Sequence, residues 1–416
     1  MSSEATLSTQ YQKKTDREHI LDNPDTYIGS VENVDTHAWT FNNETKSIGL
    51  NPIHYVPGLY KLFDEGIVNC RDHCIRMQQA ISDKKDDIIP VSKIEVSIDD
   101  DGTIHMTNDG NGIDVAKHPE YDIWIPEMIF GHLRTSTNYN KTEKRIVGGK
   151  NGFGFKLVLI WSSWGSIETI DHVRKLKYTQ SFSDNLTTIE KPKITKNSSK
   201  PYTRVSFRPD YTRLGLSGLD TTMRSIFQKR VYDICAITSK NVKVKYNGEL
   251  VPIKSFEQYV DLYIGSKDKT PRLYETEEKR WEICVSLSPT HEFQHVSFVN
   301  GIHTAKGGKH VDYILGQITR KLSAYIEKKK KVTVNTNSIK EQLFLFIRCD
   351  IDNPAFDSQT KDYMNTPSNK FGSTYTISDK FIDKLAKMGV MDAALAITEV
   401  KENRNAKKSD GSKSRV

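Results

Sequence analysis

The sequence predicts an α+β protein built from two successive domains, and three observations lead there. Segments with apolar residues three and four apart are interleaved with segments alternating at period two, the marks of helices and strands. A polar stretch at 265–271 (GSKDKTP) separates two halves of different pattern. Finally, 416 residues exceed what one ordinary core holds, at roughly 150 residues per domain. The expected layout is an arm over 1–30, a first domain over 31–264, a second over 265–405 and a basic tail over 406–416. No internal repeat is visible.

The elements follow in order. Residues up to about 50 lack strong periodicity and read as an extended arm followed by turns, with Asn23, Pro24 and Asp25 as breakers. Pro57 opens a helix in which Leu59, Leu62, Phe63, Gly66 and Cys70 share one face. Glu65 and Asn69, four apart, fall together on another face. A hairpin follows: Ile94, Val96 and Ile98 alternate, Asp99 to Gly102 turn, and Ile104 and Met106 alternate back. It delivers the chain to Asn108, Asp109, Gly110, Asn111 and Gly112. The apolar run 156–161 is buried as helix or strand, and further strands are expected near 166–170, 175–182, 204–207 and 242–246. Beyond the junction, Trp281, Ile283, Val285 and Leu287 form a strand, as do Val296 and Phe298. A helix then stripes Val311, Leu315, Ile318, Leu322 and Ile326, and the strand 343–347 follows. Strand, helix, strand implies a right-handed crossover whose functional loop lies just past the last strand, at 352–364.

Composition narrows the function. The chain is 36% hydrophobic and 27% charged, and nothing approaches the ~20 consecutive apolar residues of a membrane-spanning helix, so no membrane partner is expected. The N-terminus has no apolar stretch suited to a signal peptide. Five scattered cysteines fit reduced thiols in an intracellular, reducing compartment. Cys70, His73 and Cys74 invite a metal reading, but further ligands of a structural zinc site are not in view. A net charge of +7 permits a nucleic-acid partner without demanding one. The densest basic run is Lys328, Lys329, Lys330 and Lys331, a solvated helix end or a phosphate-binding patch.

Three constellations carry chemistry. A carboxylate and a carboxamide on one helical face, Glu65 and Asn69, can polarise a water and offer a hard oxygen to Mg²⁺. Asp109, at a strand end before glycines, can accept from an adenine amino group. Gly148, Gly149, Gly152 and Gly154, four glycines within seven residues, can turn backbone N–H groups toward a triphosphate at a helix start. Neither a Walker A loop nor dinucleotide-binding spacing is present. Taken singly, each has an ordinary reading: a solvated helix face, a turn, a glycine loop without ligand.

In this order and within ninety residues, the three resemble the N, G1 and G2 boxes of the GHKL ATPases, the superfamily of gyrase, ninety-kilodalton heat-shock chaperones, histidine kinases and mismatch-repair ATPases. Within it the chain resembles the eukaryotic-type topoisomerase II family. The likeness rests on residues 11–15 (YQKKT), 19–30 (HILDNPDTYIGS), 56–65 (VPGLYKLFDE), 135–139 (TSTNY), 297–302 (SFVNGI), 306–313 (KGGKHVDY), 353–361 (NPAFDSQTK) and 371–373 (FGS). It covers nearly the whole chain.

The resemblance implies a Bergerat-type α/β sandwich followed by a transducer domain like ribosomal protein S5. It implies Glu65 as general base, Asn69 as magnesium ligand, and Asp109 reading adenine with Thr203 behind the base. Ser136, Thr137 and Asn138 then touch ribose and phosphate. Gly149, Lys150, Asn151, Gly152, Phe153, Gly154, Phe155 and Lys156 wrap the phosphates. Gln359 and Lys361 reach the γ-phosphate from the second domain, and Tyr11 lies in an arm that crosses to the partner subunit. ATP and Mg²⁺ are the implied cofactors, with double-stranded DNA, a second copy of the chain and a DNA-cleavage core as partners; a eukaryotic source implies the nucleus. The implied activity is an ATP-operated clamp serving relaxation and decatenation. A nucleotide-dependent assembly module that holds ATP without hydrolysing it is the alternative, against which Glu65 argues. His73, Lys150 and Phe155 depart from the family pattern, where asparagine, arginine and a small residue are expected. The acidic metal centre and tyrosine region used for DNA cleavage are not found in these residues, so a piece of a longer polypeptide is expected.

Overall fold

The computed structural model describes residues 13–133, 135, 146–148, 154–277 and 280–410 of the 416. The chain divides into two compact units, Met1–Glu143 with Val147–Lys254, and Ser255–Val416 with Lys144–Ile146.

The first unit opens with short helices α1 (Asp16–Asp22) and α2 (Pro24–Tyr27). Thr15 and Glu18 cap α1 reciprocally: the Thr15 hydroxyl accepts from Glu18 N, and Glu18 accepts from Thr15 N at 2.8 Å. Strands β1 (Val34–Asn42) and β2 (Ser47–Tyr55) then pair as an antiparallel hairpin, where the sequence indicated only an arm and turns. Most of β1 is solvated, so its alternation is weak; Phe41 near its end packs on Tyr232 at 4.3 Å between ring centroids.

Helix α3 (Pro57–Ser82) starts at Pro57 as expected. Next come β3 (Lys93–Ile98), β4 (Ile104–Asp109), α4 (Ile125–Gly131) and α5 (Gly154–Ile160), the last formed by the apolar run left open as helix or strand. Strands β5 (Ser162–Asp171), β6 (Leu176–Ser183), β7 (Thr188–Ile189), β8 (Lys193–Lys196) and β9 (Tyr202–Pro209) follow. Helix α6 (Thr221–Ala236) and strands β10 (Lys243–Tyr246) and β11 (Glu249–Leu250) complete the unit. The sheet runs β11-β10-β3-β4-β9-β5-β6-β7, with β8 also on β6, and only the β10–β3 pairing is parallel. Helices α3, α5 and α6 share one apolar layer: Phe63 of α3 stacks on Phe227 of α6 at 4.1 Å, and Phe155 of α5 meets Phe207 of β9 edge-on at 5.7 Å.

The second unit starts with α7 (Phe256–Ile264), which the expected junction at 265 would have assigned to the first. Its Tyr259 packs on Phe298 and its Tyr263 on Phe346, and Arg272 bonds Asp261 at 2.6 Å across the intervening loop. A polar stretch marks exposed backbone, not which side the flanking helix packs on. Strands β12 (Arg272–Glu277), β13 (Trp281–Leu287), β14 (Gln294–Val299) and β15 (Ile302–His303) precede helix α8 (Lys309–Lys330), then α9 (Thr336–Lys340) and β16 (Leu343–Cys349). The sheet order is β12-β13-β16-β14-β15, with β14 and β16 parallel and α8 between them in sequence, as the strand-helix-strand pattern required. Helices α10 (Asp379–Leu385) and α11 (Met391–Asp410) close the unit. Ile314, Ile318, Leu322 and Ile326 of α8 lie in one core with Ile283, Val285, Leu345 and Ile347.

Candidate functional site

Helix α3 positions the centre. Its apolar face is wholly buried through Leu59, Leu62, Phe63 and Ile67, and Gly66 marks its closest approach to the sheet, since a Cβ there would sit 2.6 Å from Met106 Sδ. That anchoring fixes the neighbouring face, which carries buried Glu65 and half-buried Asn69. The start of α5 meets it: a Cβ on Gly154 would lie 3.1 Å from Glu65 Oε2 and 3.8 Å from Asn69 Nδ2. Residues singled out in two separate motifs are thus brought together.

Glu65 is one end of a buried ionic network. Its Oε1 pairs with Lys61 Nζ at 2.9 Å, and Lys61 also donates to Asp64 Oδ2 at 3.2 Å. Asp64 Oδ1 accepts from Arg230 Nε of α6 at 2.7 Å; Lys229 pairs with Asp233 at 2.9 Å, and Arg230 lies 3.8 Å from Asp233. Burial alone would depress the Lys61 ammonium, but Glu65 and Asp64 hold it above its ordinary value, so it stays charged. Asp72, further along α3 and fully buried, accepts from Gly148 N at 2.9 Å and ties down the start of the glycine-rich loop. None of Lys61, Asp64, Asp72 or Arg230 was singled out from the sequence. The first three share Glu65's helix at spacings a helical wheel would have shown; Arg230, 166 residues from Asp64, gave no signal.

At the end of β4 the structure separates two neighbours. The Asp109 carboxylate accepts from Ser92 N at 2.7 Å, Lys93 N at 2.8 Å and Ser92 Oγ at 2.5 Å, so three of its four acceptor positions serve the start of β3. Asn108 takes the opposite face, the one on which Met106 meets α3, and stands across from Thr203 in the β4–β9 register. Its Nδ2 donates to Asp109 O at 3.0 Å; among the described residues its Oδ1 accepts no hydrogen bond. Thr203 Oγ1 lies 2.9 Å from Thr169 Oγ1. The glycines here have local causes: Gly110 has φ 91, and a Cβ on Gly112 would lie 1.9 Å from Ile170 O. Half-buried His73, near this loop, is pushed down to about 4 by burial and by Arg76, so its imidazole is neutral at pH 7.

Lys156 of α5 is buried and donates to Thr135 O at 2.5 Å; burial pushes its ammonium down to about 8. It therefore anchors the residue just before Ser136. Ser136, Thr137, Asn138, Gly149, Lys150, Asn151, Gly152, Phe153 and Tyr11 lie outside the described residues. Phe155 is a core residue, edge-on to Phe130 at 5.4 Å, which gives the departure from a small residue a packing role.

In the second unit, Gln359 and Lys361 sit on the loop after β16. The loop is pinned at its base by Asn300, whose side chain donates to Ile351 O at 2.9 Å and accepts from Ile351 N at 2.7 Å. At its far end, Lys309 N donates to Met364 O at 2.9 Å and Met364 N to Gly307 O at 3.1 Å, at the start of α8. Lys361 is buried and has φ 65, in the left-handed region that is uncommon for residues other than glycine. Lys328, Lys329, Lys330 and Lys331 are all exposed at the C-terminal end of α8, where cations complement the helix dipole.

Residues 255–413 match the family model described as DNA gyrase B. Over 416 residues the chain is 43% identical to DNA topoisomerase 2 of Arabidopsis thaliana, covering 98% of this chain and 27% of that protein. The chain thus spans about a quarter of that relative's length. The solved ATPase region of Saccharomyces cerevisiae topoisomerase II is 40% identical, with 94% of this chain and 99% of that one covered and a TM-score of 0.86. The ATPase and transducer domains of DNA topoisomerase II from Balamuthia mandrillaris give 36% identity, 95% and 99% coverage and a TM-score of 0.88. Fold and likeness together define the class, a GHKL ATPase domain followed by a transducer. The chain belongs to the eukaryotic-type DNA topoisomerase II family and aligns with its ATPase region.

Proposed function

We propose that this chain binds and hydrolyses ATP and, in doing so, closes and reopens as the homodimeric gate of a type II topoisomerase that passes one DNA duplex through another. The observation that supports this most is the meeting of Glu65 and Asn69 with Gly154, which sets a buried carboxylate and a carboxamide against the start of α5.

In this reading Glu65 takes the proton of the attacking water, within the ~10²- to 10⁴-fold reach of general-base catalysis. Asn69 offers a carboxamide oxygen to Mg²⁺, a donor that suits this hard cation; the ion, when bound, neutralises phosphate charge. The α5 N-terminus and the glycine-rich loop, tied at its start by Asp72, hold the phosphates, and Lys156 anchors Thr135 just before the 136–138 stretch. Asn108, with its open acceptor, takes the adenine-reading part in place of Asp109, with Thr203 across from it. Lys361 supplies a point charge to the γ-phosphate, assisted by Gln359, so that the second unit senses whether that phosphate is present. Tyr11 reaches the neighbouring copy, and Lys328, Lys329, Lys330 and Lys331 contact DNA phosphates.

Light scattering tests the clamp. A ligand shifts an equilibrium only through its differential affinity, so a non-hydrolysable ATP analogue should produce dimers where ADP and no nucleotide leave mostly monomers. Lys361→Ala should lose turnover and most of this closure. A chain that stays monomeric with the analogue, or dimerises equally in all three conditions, would rule the clamp out.

A further inference from the structure

We propose that Lys61 is a positioning residue for ATP hydrolysis: it holds the Glu65 carboxylate ionised and turned so that Oε2 faces the start of α5. The inference rests on reading Glu65 as the base. Lys61 Nζ lies 2.9 Å from Glu65 Oε1, while the other oxygen, Oε2, is the atom a Cβ on Gly154 would approach to 3.1 Å. One oxygen is thus held by the lysine and the other is presented where the phosphates would lie.

A tether to Asp64 alone would not require this arrangement. Asp64 already has the Arg230 guanidinium at 2.7 Å, and Asp233 has Lys229 at 2.9 Å, so both of these carboxylates are answered by cations of α6. Lys61, by contrast, pairs with Glu65 as well as with Asp64. The charged network that reaches the carboxylate through Lys61 comprises Asp64 on α3 and Lys229, Arg230 and Asp233 on α6, with Tyr60 beside Asp64; Lys156 on α5 has its ammonium engaged by Thr135 O. Without Lys61 the Glu65 carboxylate loses the cation that lies 2.9 Å from its Oε1 in a buried site. It would take up a proton at higher pH than before. Protonated, it cannot accept one from water.

The test is steady-state ATP hydrolysis from pH 5.5 to 8.5 by the whole chain, comparing the parent with Lys61→Met, Lys61→Arg and Glu65→Gln, with binding of a non-hydrolysable ATP analogue measured alongside. Lys61→Met should lose about tenfold or more in kcat at pH 7, keep KM for ATP within about threefold, and show the acid limb of its pH–rate profile moved up by roughly one unit. Lys61→Arg should restore the parent limb and much of kcat. A Lys61→Met enzyme with the parent's kcat and limb, or one whose kcat and KM both collapse while the limb stays put, overturns the proposal. Should Lys61→Met fail to bind the analogue, Lys61→Arg decides: a limb at the parent position supports the assignment and a displaced limb refutes it. Glu65→Gln separates the two levels, because parental turnover in that variant would remove the base itself, whatever Lys61 does.

Discussion

Gly154 stands against Glu65 so closely that a methyl group at 154 would rest 3.1 Å from Glu65 Oε2, inside ordinary contact. The carboxylate would have to yield by a few tenths of an ångström, while the same methyl would be in ordinary contact with Asn69 Nδ2 at 3.8 Å. Gly154→Ala should therefore lower kcat by about tenfold, since small misplacements of a reacting group are costly. Alanine favours a helix by ~1 kcal/mol over glycine, so the melting temperature should not fall. Hydrolysis within twofold of the parent would show that this approach has no catalytic consequence.

The two residues at the end of β4 should separate in a binding experiment. Asn108→Ala removes the open acceptor and should weaken ATP binding by roughly ten- to a hundredfold, the about 1–3 kcal/mol of an amine left unpartnered, while eroding the preference for ATP over GTP. Asp109→Ala removes the acceptor of Ser92 N, Ser92 Oγ and Lys93 N, so its main effect should be a lower melting temperature. Calorimetry with both nucleotides is the measurement. Parental ATP affinity in Asn108→Ala together with lost adenine preference in Asp109→Ala would return the adenine-reading role to the aspartate.

For the α8 terminus the readout is salt dependence. Every lysine that bonds a DNA phosphate should contribute about one unit to the slope of log affinity against log salt. Replacing Lys328, Lys329, Lys330 and Lys331 by glutamine should flatten the slope and reduce DNA stimulation of hydrolysis without altering basal turnover. An unchanged slope would leave these lysines as a solvated helix end.

Much of the fold was legible in the sequence because periodicity is local. The α3 stripe, the β3–β4 hairpin, and the β14, α8, β16 succession all follow from apolar spacing. The β1–β2 hairpin was not, since most of β1 faces water and the strand has little pattern to show. The boundary near 255 was not either, because α7 is assigned by Tyr259 and Tyr263 meeting Phe298 and Phe346, contacts no local composition encodes.

The same division runs through the candidate site. By itself the sequence determined that Glu65 and Asn69 share a helical face, because 3.6 residues per turn places positions four apart together whatever surrounds them. It also determined that a glycine-rich segment leads into a buried apolar run, which the structure makes a helix. Only the tertiary structure decided that Gly154 is the residue facing that carboxylate and that Lys61 and Arg230 place it within a buried charge network. It likewise gave Asp109 and Asn108 different surroundings. Strand alternation puts these neighbours on opposite faces, but which face looks toward the helices is set by Met106 packing beneath Gly66, and the Ser92–Lys93 backbone claims whatever faces the other way. Hydrogen-bond satisfaction between segments distant in sequence is a three-dimensional constraint, and it is what assigns chemistry to residues that look alike in one dimension.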